Sequence, residues 1–70
     1  MPLREQLERL VDEMVAKGIR YDEAHREFEK KFIARALVKA DGNLGKAADL
    51  LGIHRNTLAR KVSEHHLRRL

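Results

Sequence analysis

Seventy residues, no cysteine and 37% charged side chains leave room for one small domain without disulfides or thiolate metal sites. A chain this short buries only about 60% of the surface its unfolded form exposes, so a stable fold needs close helix packing or a second copy. The net charge of +4 is uneven: residues 1–41 hold nine Lys/Arg and nine Asp/Glu, while 42–70 hold Lys46, Arg55, Arg60, Lys61, Arg68 and Arg69 against only Asp49 and Glu64.

Residues 2–17 read as a first helix. Leu3, Leu7, Leu10, Val11, Met14 and Val15 share one face, and Arg4, Glu5, Glu8, Arg9, Asp12 and Glu13 share the other. Pro2 suits the first turn, and Gly18 stops the helix at the C′ position. Four acids within this stretch exclude a signal peptide or a membrane span. Balanced charge on its polar face argues against a membrane-surface helix.

Ile19-Arg20-Tyr21 reads as a connector, with Asp22 as the N-cap of a second helix running to Ala40. Its apolar set is Ala24, Phe28, Phe32, Ile33, Ala36, Leu37 and Ala40. Glu27 and Lys31 form an i,i+4 pair. Asp41-Gly42 ends the helix, with Gly42 expected at the left-handed C′ position. Asp12/Glu13 and Glu27/Glu29 are expected to be solvated-face charges, not an acid/base pair.

Gly42 to Val62 holds two short apolar-periodic segments around Gly52-Ile53-His54. That is helix, tight turn, helix, the pattern that lays its second helix in the major groove of DNA. Asn43 caps a third helix, 44–51. Ala47 and Ala48 allow a close crossing, Gly52 supplies positive φ, and Ile53 plugs the core. His54 stands near the N-cap of a fourth helix, 55 to about 66. There Leu58, Val62 and His65 face inward, and Arg55, Asn56, Ala59, Arg60 and Ser63 face outward.

The basic excess falls on this same segment, which is the electrostatic footprint of polyanion binding; the bland alternative is a solvated basic surface. An Arg fork matches guanine O6 and N7, and Asn can read adenine, so Arg55 and Asn56 are the candidate base contacts. Asn43, Lys46, Thr57, Arg60 and Lys61 are candidate phosphate contacts, which fix register without reading sequence. Arg68-Arg69 form a basic tail in reach of a phosphate. His54, His65 and His66 read as capping and packing residues rather than metal ligands. No nucleophile–base pattern or phosphate-cradling loop is present, so neither enzyme activity nor a cofactor is expected.

Ala47, Leu51, Leu58 and Val62 can cover only one end of the second helix. The remaining stripe, with Leu7, Leu10, Met14, Phe28, Phe32 and Leu37 as dimer or core residues, is expected to meet a second copy. The alternative folds 1–17 back onto its own chain as a monomeric four-helix domain. The expected fold is all-α, a single domain over 1–70. Helices in 1–41 form an intertwined four-helix-bundle dimer core, and 42–70 form the helix-turn-helix.

The residues Phe28-Glu29, Leu37, Gly42-Asn43, Ala47-Ala48, Leu51-Gly52-Ile53, Arg55, Thr57-Leu58 and Lys61 make residues 22–67 resemble the Fis-type helix-turn-helix family. Its members are the nucleoid protein Fis and the C-terminal DNA-binding domains of NtrC-type bacterial activators. The resemblance implies a cytoplasmic, nucleoid-associated homodimer that binds double-stranded DNA in successive major grooves, as a transcriptional regulator or DNA-bending factor, with the transcription machinery a further partner. Nothing resembles the activators' ATPase or receiver domains, so the chain alone is not expected to remodel a polymerase. Two positions depart from the family. His66 stands where a Gly often ends the recognition helix, so the helix is expected to run on into Leu67-Arg68. Ala59 stands where Fis carries a long basic residue, which implies modest sequence specificity shared with DNA shape. A reading of a different class is a protein–protein interaction module within a larger regulatory assembly.

Overall fold

A computed structural model describes residues 2–67. Its four helices are α1 (Leu3–Ala16), α2 (Tyr21–Lys39), α3 (Leu44–Leu51) and α4 (Arg55–Glu64), and there is no strand among the described residues. The all-α expectation holds. The Arg68-Arg69 tail lies outside the described residues.

All four helices stop by one device. A residue in the left-handed region turns the chain, and the next amide donates back five residues. The turning residues are Gly18, Asp41, Gly52 and His66. The closing bonds are Ile19 N to Met14 O, Gly42 N to Leu37 O, Ile53 N to Ala48 O and Leu67 N to Val62 O, at 2.8–3.1 Å. These bonds satisfy carbonyls that a helix end leaves without partners.

Three boundary expectations are corrected. Arg20, not Asp22, precedes the first turn of α2. Tyr21 is already helical and stacks on His25 one turn later, ring centroids 6.1 Å apart, while Asp22 and Glu23 lie in the first turn, where their charge suits the helix dipole. At the other end of α2, Asp41 (φ 55°) holds the left-handed position expected for Gly42, which follows it at φ 78°. The fourth helix does not run on to Leu67. It ends at Glu64, and His66 turns at φ 54°. Leu67 then packs against the core, and that apolar contact favours closing the helix over extending it.

The core lies where α2, α3 and α4 meet. Ile33, Leu37 and Ala40 of the α2 end pack with Leu44, Ala47, Ala48, Leu58 and Val62, and Leu51, Ile53, Ala59 and Leu67 close its edge. Ala47 and Leu58 are fully buried. An alanine at the crossing brings α3 and α4 close enough for Leu58 to fill the space between them.

This core uses only the C-terminal half of α2, as the short apolar set of the last two helices requires. Phe28 and Phe32, farther back on α2, are 55% and 52% exposed. No residue of α1 is buried, so α1 does not fold back to complete a monomeric four-helix core. Leu7, Leu10, Val11 and Val15 remain exposed, and Met14 is half-buried. The chain exposes 5989 Å². A folded monomer of 8.1 kDa exposes about 4,500 Å² by the mass scaling of accessible surface. Its radius of gyration, 13.7 Å, likewise exceeds the roughly 11 Å of a compact chain of this length. Both excesses have one physical source, two apolar stripes that this chain's own core does not cover.

Candidate nucleic-acid interface

The interface is built on α4, and its first turn is fixed from both sides. Gly52 at φ 69° reverses the chain after α3, and nothing lies within 4 Å of where its Cβ would stand. The turn therefore needs glycine for its backbone angle, not for space. His54 is the N-cap of α4: its Nδ1 accepts the Asn56 amide at 3.0 Å. Across the turn, Asn43 Oδ1 accepts the Lys46 amide at 3.0 Å and caps α3. Both helices of the motif thus have a side-chain cap at the N-terminus, each with its partial positive charge.

At about 100° per residue, Asn56, Arg60 and Ser63 fall within about 60° of one another, opposite Leu58, Val62 and His65. All three are exposed, as are Arg55, Asn43 and Lys46. Thr57 is half-buried. Arg55, Arg60 and Lys46 form no ion pair among the described residues. Ala59 was expected to face outward but is half-buried against the core. It stands on the flank of α4, where a methyl fits beside the neighbouring helices.

Lys61 and Glu29 depart most from their sequence reading. Glu29 is not a solvated-face charge. Its Oε2 accepts from Lys61 Nζ at 3.1 Å. Its Oε1 lies 2.9 Å from Nε2 of His65, whose side chain is only 7% exposed. These contacts pull the Glu29 carboxyl below its ordinary value, first through the His65 hydrogen bond and next through that from Lys61, against a smaller opposing effect of burial. Glu29, His25, Arg26, Glu64 and His65 line an open polar groove between α2 and α4. The partners lie 32 and 36 residues from Glu29, so local pattern gave no sign of the contact. A weaker signal was present: Lys61 and His65 are one turn apart on a single helix face, where one acceptor reaches both. Lys31 and Glu27 do form the expected i,i+4 pair, at 3.2 Å.

His65 and His66 diverge, His65 toward Glu29 and His66 into solvent. No group of three or more His, Cys, Asp or Glu that could hold a metal ion occurs among the described residues. No helix there is long and apolar enough to cross a membrane.

The model of the Fis family of bacterial regulatory proteins matches residues 24–65, from the first turns of α2 to the end of α4. The chain belongs to the Fis family. This Fis-family chain is 43% identical over 53 residues to the DNA-binding transcriptional regulator NtrC of Azospirillum brasilense, covering 76% of the chain and 11% of that protein. It is 50% identical over 44 residues to NtrC of Rhizobium meliloti, covering 63% of the chain and 9% of that protein. It is 43% identical over 47 residues to a putative Fis-like DNA-binding protein of Xylella fastidiosa, covering 67% of the chain and 52% of that protein. The chain thus spans about a tenth of the NtrC proteins and about half of the Xylella protein. No solved structure matches it. The family match falls on the helix-turn-helix and the α2 segment that completes its core. It begins after α1.

Proposed function

We propose that this chain binds double-stranded DNA as a homodimer and works as a bacterial transcriptional regulator or DNA-bending factor. The observation that carries the reading is the outer face of α4. It presents Asn56 and Arg60, with Arg55 exposed as the first residue of a helix whose first turn is capped by His54, inside the segment that matches the Fis family. Arg55 and Asn56 stand at the helix start, where a recognition helix meets base edges. In this reading Arg55 takes guanine O6 and N7, and Asn56 takes adenine. Asn43, Lys46, Thr57 and Arg60 hold phosphates and set the register. Lys61 stands apart, because its ammonium is committed to Glu29 and reaches a phosphate only on release.

Residues 1–41 supply the dimer contacts and 42–70 the reader. The exposed apolar stripes of α1 and α2 support a dimer, since Leu7, Leu10, Phe28 and Phe32 are each about half exposed on one chain. About 1,500 Å² of surplus surface per protomer is on the scale of a stable homodimer interface. A dimer core this small holds two recognition helices close together, so DNA shape and bending contribute to site choice. The same stripes also fit a different protein as partner, which is the reading as an interaction module. The work of this chain is placed in the cytoplasm, at the nucleoid, with no catalytic step.

Fluorescence anisotropy of labelled duplexes across a salt series tests the proposal. Binding should weaken steeply with salt, as counterion release requires. Arg55→Ala should cost about 1–3 kcal/mol on a selected site and relax the base preference there. An equal loss on every duplex reassigns Arg55 to phosphate. No binding at low salt defeats the DNA reading.

A further inference from the structure

Glu29 presents its two carboxylate oxygens to two different groups of α4. Lys61 Nζ takes Oε2 at 3.1 Å, and His65 Nε2 stands 2.9 Å from Oε1. Lys61 and Glu29 are not a surface pair, since their side chains keep only 28% and 21% of their exposure. A fully exposed lysine exchanges a carboxylate for a DNA phosphate at little cost, because water and salt screen either partner. Here the exchange has a cost. The carboxylate is anchored by His65 and cannot follow the ammonium, so Lys61 must leave a part-buried acid behind it. The two contacts are one helical turn apart on α4, so together they also resist any roll of the recognition helix about its axis.

We propose that Glu29 withholds Lys61 from DNA, acting as an internal competitor for phosphate. The inference rests on the DNA-binding reading above. On that basis α4 meets the duplex through Arg55 at its start and Asn56 and Arg60 on its outer face, and Lys61 serves as a positioning residue. One phosphate contact fewer per protomer lowers affinity for every sequence alike. Base contacts keep their full weight, so the ratio of specific to non-specific binding is unchanged while the hold on every duplex weakens. In the sequence, Lys61 counts toward a strongly basic reader. In the fold its charge is balanced by an acid from the neutral part of the chain.

The test is duplex anisotropy with the whole chain at neutral pH, on a non-specific labelled duplex, reading the slope of log affinity against log salt. Lys61→Met should leave the slope as in the wild type. Glu29→Gln should steepen it by about 0.9 per bound protomer, the share of one added phosphate contact, and tighten binding at low salt. Circular dichroism checks that each variant folds, and if Glu29→Gln does not, Glu29→Ala takes its place with the same expected steepening. Lys61→Met that flattens the slope by about 0.9 overturns the inference. So does a folded Glu29→Gln with the wild-type slope, which describes a lysine merely out of reach. A wild-type chain that binds no duplex takes the DNA reading down first and this inference with it. A binding wild type with a flattened Lys61→Met takes down this inference alone.

Discussion

Phe32→Ala separates a dimer from a monomer because it removes a ring that one chain leaves half in water. Phe32 is 52% exposed, and its neighbour on the bare stripe, Phe28, packs against it with ring centroids 5.3 Å apart. A phenylalanine buries about 200 Å² when fully covered, so about 100 Å² of this ring awaits a partner. At about 25 cal/mol per Å², covering that area yields about 2.5 kcal/mol per protomer. Two-fold symmetry uses the ring twice, for about 5 kcal/mol per dimer. At 1.4 kcal/mol per tenfold, the dissociation constant should rise by roughly three and a half decades. Sedimentation equilibrium over a wide range of protein concentration reads that constant directly. A second readout is thermal melting, which should depend on protein concentration in the wild type and lose that dependence in the variant. A wild-type chain of single-protomer mass at tens of micromolar refutes the reasoning, and so does a shift of less than tenfold.

Three further outcomes follow from the fold. Leu58→Ala empties the centre of the core, where Leu58 is fully buried, and should cost about 3–5 kcal/mol. Urea unfolding should show most of the stability gone, since a domain this size holds only about 4–10 kcal/mol in all. His66→Gly relieves a non-glycine residue at φ 54° and should raise stability by about 1 kcal/mol; an unchanged or lower melting temperature contradicts the strain. Glu29 has a depressed carboxyl pKa in the folded chain. Its contribution to stability is therefore complete above its ordinary value of 4.5 and is lost as pH falls through the lower folded value. Denaturant melts at neutral and acid pH should show less acid loss in Glu29→Gln than in the wild type, and an equal loss excludes Glu29 as a source.

The fold was largely legible because its elements obey local rules. The 3.6-residue period of Leu3 to Val15, the cap at Asn43 and the glycine at Gly52 each act within a turn or two of chain. The errors fell where two signals competed locally or where the partner was far away. Asp22 is a better capping residue than Arg20, yet the helix begins earlier, with Tyr21 stacked on His25. Asp41 rather than Gly42 takes the first left-handed turn because the six-to-one bond from Gly42 to Leu37 sets the register there. His66 looked compatible with a longer helix, but the burial of Leu67 against the core ended it. Among the site residues, the exposure of Asn56 and Arg60 followed from helical phase, whereas Arg55, which falls near Val62 in phase, is exposed as the first residue of the helix. The half-burial of Ala59 and the commitment of Lys61 depended on what α2 and α3 put beside them.

The sequence by itself determined four helices, a capped turn and the outward-facing Asn56 and Arg60, because periodicity, caps and turn chemistry are short-range. It also showed that the last two helices are too small to cover both apolar stripes, since side-chain area is a property of composition. Only the tertiary structure decided which charges remain available to a polyanion. Glu29 meets Lys61 and His65 across more than thirty residues, and such a pairing depends on how helices cross, not on any window of sequence. The +4 counted along the chain is therefore not the charge that the reader's outer face presents.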